Sequence, residues 1–97
     1  VYRNSEATQR DWRKGFQTAV AEVDVLGMEK FLARGIDINQ PLDAEENTAL
    51  LLTDKPFVIR WLHDRGARLD HQNEDGYSAL MKRTAEGHRL CVETLIE

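Results

Sequence analysis

Residues 66–96 hold the ordered signals that decide the fold. Gly66-Ala67-Arg68-Leu69-Asp70 is followed by Asn73-Glu74-Asp75-Gly76-Tyr77-Ser78-Ala79-Leu80-Met81, then Glu86-Gly87-His88, then Val92-Glu93-Thr94-Leu95-Ile96. An earlier stretch runs in the same order: Gly35-Ile36-Asp37-Ile38-Asn39, then Asp43-Ala44-Glu45-Glu46-Asn47-Thr48-Ala49-Leu50. Gly35 and Gly66 are 31 residues apart, Thr48 and Ser78 are 30 apart, and Leu62 and Leu95 are 33 apart. Self-similarity at such a period marks units that cannot bury their apolar faces alone and must stack.

Before this repeat the chain keeps the helical part of the pattern. Phe16, Ala19, Val20 and Val23 fall at i, i+3, i+4 and i+7, one face of a helix. Met28, Phe31 and Leu32 mark a second helix, which Gly35 ends as a left-handed cap.

In its joint order and spacing the chain resembles the ankyrin repeat from about residue 14 to residue 97. Gly66-Ala67 stands where the family opens its hairpin and Gly76 at its turn. Ser78-Ala79-Leu80-Met81 stands at the Thr-Pro-Leu-His start of the first helix, and Gly87-His88 matches the link between helices. The resemblance implies an all-α ankyrin-repeat solenoid of stacked helix-turn-helix units with short β-hairpin fingers. It implies units over residues 15–39, 40–70 and 71–97. Residues 1–14 then form an N-terminal extension or capping helix whose Trp12 covers the first unit. The chain stops directly after Leu95-Ile96, which points to a shielding partner or to a longer array.

Four departures from the pattern carry expectations of their own. Val23 replaces the glycine between helices, and Glu46 stands where glycine usually turns. The second unit is 3 residues short at its inter-helix corner, since Thr48 to Ile59 spans 11 residues and Ser78 to Val92 spans 14. Its first helix must be short, near residues 48–54, with Asp54 capping the next helix and Pro56 in that helix's first turn. Arg83 and Thr84 replace two small residues packed between helices. Arg83 is therefore expected to reach solvent over a buried stem, or its helix to sit looser.

Composition narrows the function classes. Ninety-seven residues, 41% apolar and 31% charged, suit one small folded domain. A net charge of -4 argues against a nucleic-acid binder. The longest apolar run, Ala49 to Leu52, is too short for membrane insertion. One cysteine, Cys91, rules out an internal disulfide and a multi-cysteine zinc site. No signal peptide is visible, which favours a cytoplasmic setting, while the start at Val1 leaves a processed or exported form open.

No motif assigns catalysis. His63, His71 and His88 are spaced by 8 and 17, so no two share one helix turn as metal ligands would. His88 matches the family's structural histidine. Cys91 lies three residues on from His88, yet no orienting acid is placed beside them. Glu45 and Glu46 are adjacent and point apart, so they do not form an acid–base pair. Phosphate-cradling glycine motifs are missing. The sequence reads as a non-enzyme with no cofactor and no metal. A metal- or thiol-dependent enzyme using His88 and Cys91 is the reading from another class.

Charge placement says more than net charge. Residues 35–54 hold Asp37, Asp43, Glu45, Glu46 and Asp54 and no base, and this excess accounts for the acidity of the whole chain. The resemblance puts much of it on one finger beside the concave binding face. Asp43, Glu45, Glu46 and Asn47 are the expected steering residues for a basic partner protein, and Gln72, Glu74, Asp75, Tyr77 and Met81 the expected contact residues. Trp61 stands at a position matched by Lys30 and Thr94, so it is either an interface residue or packed against the next unit. The expected function is protein–protein binding by a rigid scaffold, with a dedicated inhibitor or neutraliser of a basic enzyme or toxin as a narrower form.

Overall fold

A computed structural model describes residues 5–96, with side chains from residue 12 onward. The described chain is all-helical: α1 (Ser5–Ala21), α2 (Val25–Ala33), α3 (Ala49–Leu52), α4 (Pro56–Asp64), α5 (Ala79–Glu86) and α6 (Arg89–Leu95). Among the described residues no strand forms; the segments before α3 and α5 are hydrogen-bonded turns.

The helices pack as consecutive pairs, α1 on α2, α3 on α4 and α5 on α6. α3 lies between α1 and α5, and α6 lies against α4. The core follows the sequence periodicity. Phe16, Ala19 and Val20 from α1 are buried with Met28 from α2, Leu50 and Leu51 from α3, Val58, Ile59 and Leu62 from α4, and Cys91 and Leu95 from α6. Fully burying aliphatic and aromatic side chains of this size stabilises by about 1.5–3 kcal/mol each before conformational entropy is charged.

α1 is continuous through Lys14 and Gly15, so residues 5–14 run on into the helix that carries Phe16. Trp12 packs against the core, while the capping expectation for residues 1–4, and for side chains before Trp12, lies outside what is described. Gly15 sits mid-helix because Phe31 crosses there. A Cβ at that position would stand 2.7 Å from Phe31 Cζ, and Phe31 in turn meets Phe16 edge-on at 5.8 Å between centroids.

The turns explain the glycine pattern and its departures. Gly87 between α5 and α6 has φ +75°, and Val23 between α1 and α2 has φ +55°. Gly76 before α5 has φ +85°, and Glu46 at the matching place before α3 has φ +64°. The backbone therefore keeps the left-handed conformation where the sequence has given up glycine, at a cost of about 1–2 kcal/mol per ordinary L-residue. Val23 offsets part of that cost by packing on the core, whereas Glu46 is exposed.

The corner of the second pair is the other departure. α3 is a single turn, and only residues 53–55 link it to α4. Pro56 opens α4 as expected, but Asp54 is not its cap. Lys55 holds that place, and the Asp54 carboxylate instead takes a hydrogen bond from Lys55 Nζ at 3.1 Å, which holds its pKa below the usual value. Thr53 Oγ1 accepts from the Lys55 amide, so the link is braced by its own side chain.

So short a helix leaves carbonyls without intrahelical partners. Arg83 on α5 supplies one partner: its Nη2 donates to the Leu51 carbonyl at 2.7 Å, and its Nη1 pairs with Glu86 at 3.1 Å. The expectation of a solvent-seeking Arg83 is thus corrected. Its side chain is 4% exposed, because the three missing corner residues leave both the space and the unpaired acceptor that draw the guanidinium inward. Cys91 Sγ donates to the Asp54 carbonyl at 3.0 Å, satisfying a second acceptor of the same corner.

Two stability measurements follow. Arg83→Met should lower unfolding free energy by about 2–3 kcal/mol, since a buried carbonyl loses its donor; Arg83→Lys should recover only part of it, having no planar fork. Glu46→Gly should raise stability by about 0.5–1 kcal/mol and Gly76→Ala should lower it by about 1 kcal/mol, both read from urea midpoints.

Candidate functional site

The turns before α3 and α5 are built alike, 30 residues apart. Asp43 Oδ1 accepts from the amides of Glu45 and Asn47 at 3.1 and 2.9 Å. Asn73 Oδ1 accepts from the amides of Asp75 and Tyr77 at 3.0 and 2.9 Å. In each turn a tight bond closes the tip, Glu46 N to the Asp43 carbonyl at 3.0 Å and Gly76 N to the Asn73 carbonyl at 2.9 Å. Short acceptor side chains that bond the amides two residues on favour this turn over helix.

The two turns are stitched to each other. Asn73 Nδ2 donates to Asn47 Oδ1 at 2.9 Å, the Glu74 amide donates to the Glu45 carbonyl at 2.8 Å, and His71 Nε2 lies 3.1 Å from the Glu46 carbonyl. The preceding turn continues the pattern. Asn39 Oδ1 accepts from the Arg68 amide at 2.7 Å and its Nδ2 donates to the Gly66 carbonyl at 3.2 Å. Gln17 on α1 adds a bond from its side-chain amide to the Leu42 carbonyl.

This construction sorts the expected site residues. Asn47 is buried and its amide group bonds both Asp43 and Asn73, so it holds the turns rather than meeting a partner. Asp43 is half-buried with both carboxylate oxygens engaged, so it too shapes the turn. Glu45, Glu46, Gln72, Glu74, Asp75, Tyr77 and Met81 are exposed. The acidic stretch of residues 35–54 therefore divides: Asp54 sits at the corner with Lys55, while Glu45 and Glu46 share the tips with Glu74 and Asp75 from the neighbouring turn. Tyr77 at 48% exposure and Met81 at 41% supply apolar area beside these four carboxylates.

Asn73 is the residue the sequence reading passed over. It is buried and carries both the second turn and the bond to the first. Its signal lay in the repeat itself, since Asn73 stands 30 residues after Asp43, and either side chain can accept from the two amides that follow.

Other singled-out residues have settled places. Trp61 is 7% exposed, and the Arg65 guanidinium lies 3.7 Å above its ring, so it belongs to the core. His88 Nε2 lies 3.4 Å from Glu86 Oε1, while Cys91 turns to the Asp54 carbonyl. Burial raises the Cys91 thiol above its ordinary pKa, with Arg83 opposing that shift. Among the described residues no group of three or more His, Cys, Asp or Glu side chains is placed to hold a metal ion. No described helix is long and apolar enough to cross a membrane. No protein-family model and no curated protein matches the chain.

A neutral, buried Cys91 favours the folded state below the thiol's ordinary pKa, and this contribution fades as pH rises through the raised folded value. Alkylation of Cys91 by iodoacetamide at pH 8 should therefore be slower in the native protein than in urea, by roughly tenfold or more. Thermal stability should fall on the alkaline side of the ordinary thiol pKa, and less so in Cys91→Ala.

Proposed function

We propose that the chain is an ankyrin-type repeat array whose function is to bind another protein. The helix pairs serve as a rigid support, and the joined turns before α3 and α5 present the contact surface. The partner is one with a basic surface. Four exposed carboxylates from two stitched turns, Glu45, Glu46, Glu74 and Asp75, attract cationic side chains and raise the encounter rate. Tyr77 and Met81 then bury apolar area at modest entropic cost.

The observation that carries this reading is the joining of the tips by the Glu74–Glu45 backbone bond and the Asn73–Asn47 bond, which turns two short acidic loops into one surface. Glu46 adds support. A carboxylate is kept at a left-handed position that glycine would occupy at less cost, which is how residues held for contact rather than stability behave. The same surface suits a dedicated neutraliser of a basic enzyme or toxin, which is a narrower case of the same binding.

Affinity capture with mass spectrometry tests the proposal, using Glu45→Lys/Glu74→Lys as the control bait. The wild type should retain a basic partner whose association slows with added salt, and the variant should lose it or associate roughly tenfold more slowly. Equal capture by both baits, or retention of acidic proteins alone, would contradict it.

A further inference from the structure

α5 separates its charges from an uncharged face. Its three charged residues, Lys82, Arg83 and Glu86, all line the cleft at the corner, with Leu52 and His88. Ala79 and Arg83 are buried. Leu80, Met81, Thr84 and Ala85 are exposed and fall at i, i+1, i+4 and i+5, so they form one stripe along the helix. Tyr77, also exposed, precedes the Ser78 cap at the end of this stripe nearest the acidic tips. Scattered single apolar residues need no explanation, but a contiguous uncharged stripe does.

The repeat shows what this register meets elsewhere in the molecule. Leu50 and Leu51 stand 30 residues before Leu80 and Met81, at the same place after an N-cap, Thr48 or Ser78. They are 2% and 1% exposed, whereas Leu80 and Met81 are 36% and 41% exposed. Ala49 and Ala79, one residue earlier, are buried in both helices, so the two helices present the same side to the core. α3 has the first helix of another pair on each side, α1 and α5. α5 packs on one such helix, α3, and on its own pair-mate α6. A register enclosed by helices in the second pair is thus left open in the third.

We infer that a helix of the basic partner docks along this stripe; the choice of that partner rests on the binding role proposed above. Leu80–Thr84 and Met81–Ala85 are two i±4 rows, and the groove between them takes one row of facing side chains. Bulk falls at the tip end and small residues at the far end, so the docked helix comes closest over Thr84 and Ala85 and sets its larger apolar residues there. From Tyr77 to Ala85 the stripe is about 12 Å long, two turns of a facing helix with apolar residues at i, i+3 or i+4, and i+7. At its tip end stand the exposed carboxylates of Glu45, Glu46, Glu74 and Asp75, which call for Lys or Arg at that end of the docked helix. A second copy of α5 brings no such cation, because its Lys82 and Arg83 line its own corner cleft.

Fluorescence anisotropy on the 97-residue chain tests this with two labelled peptides of Lys, Leu and Ala, each roughly 16 residues long. One has leucines at i, i+3, i+4 and i+7 and lysines at one end; the other has the same composition with its leucines spread round the helix. The wild type should bind the striped peptide roughly tenfold or more tightly than the permuted one. Thr84→Lys/Ala85→Glu leaves the net charge unchanged and touches no tip residue. It should bring the striped peptide down to the level of the permuted one, with circular-dichroism melts confirming that the variant folds. Glu45→Lys/Glu74→Lys should weaken both peptides and keep the ratio between them. No binding of either peptide, or a preference unmoved by Thr84→Lys/Ala85→Glu, would overturn the inference. Both peptides bound alike and lost together in the tip variant would overturn the helix docking and leave the binding role standing. A striped peptide held as tightly by the tip variant as by the wild type would instead remove the charge steering and the basic end of the docked helix. A wild-type dimer in sedimentation equilibrium that Thr84→Lys/Ala85→Glu abolishes would assign the stripe to a second copy and overturn the inference as well.

Discussion

The hydrogen bond from the buried Arg83 guanidinium to the Leu51 carbonyl is the contact on which the middle of the molecule depends. α3 is one turn long and lies between α1 and α5, so it contributes Ala49, Leu50 and Leu51 to the core while making few backbone bonds of its own. A helix of that length has no stability in isolation. Its Leu51 carbonyl is satisfied from the neighbouring pair by Arg83 on α5, and the Asp54 carbonyl of the link that follows it by Cys91 on α6. The third pair thereby completes the second, and cooperativity between neighbours has a specific chemical form here.

The same principle governs the opposite end of the pairs. Asn39, Asn47 and Asn73 each place a side-chain amide across to the next turn or the turn before it. These bonds use side chains where a longer hairpin would use a strand ladder, and they fix the relative position of the acidic tips. Positioning is therefore divided among buried amides, and the exposed carboxylates are left to act on whatever approaches. The proposed binding role rests on that division of labour.

Much of this was legible in the sequence. The 3.6-residue periodicity located Phe16, Ala19, Val20 and Met28 in the core, and the short corner between Thr48 and Ile59 required a short first helix near residues 48–54, which is realised as the single turn of α3. Gly35 ends α2 with positive φ because only such a residue closes the helix there without strain. What escaped was pairwise. The sequence offers for Arg83 either a looser helix or a guanidinium in solvent over a buried stem; the acceptor that draws it inward belongs to residue 51 of another helix. Asp54 was read as a cap from its type alone, but Lys55 beside it offered a charge-assisted bond. Asn47 and Tyr77 sit at equivalent turn positions, and nothing local distinguishes the buried amide from the exposed ring. Trp61 aligned with polar residues, yet it is buried, with the guanidinium of Arg65 four residues on lying over its ring.

If the second pair is completed by the third, α3 cannot open by itself. Native-state hydrogen exchange reads this directly through the amides of Leu52 and Thr53, which bond to the Thr48 and Ala49 carbonyls. The account predicts that both exchange only through the global unfolding reaction, with the same free energy as the amides of α4 and the same denaturant dependence. Exchange of these two amides at markedly lower free energy, while α4 and α5 stay protected, would show a frayed turn that Arg83 does not hold and would contradict it.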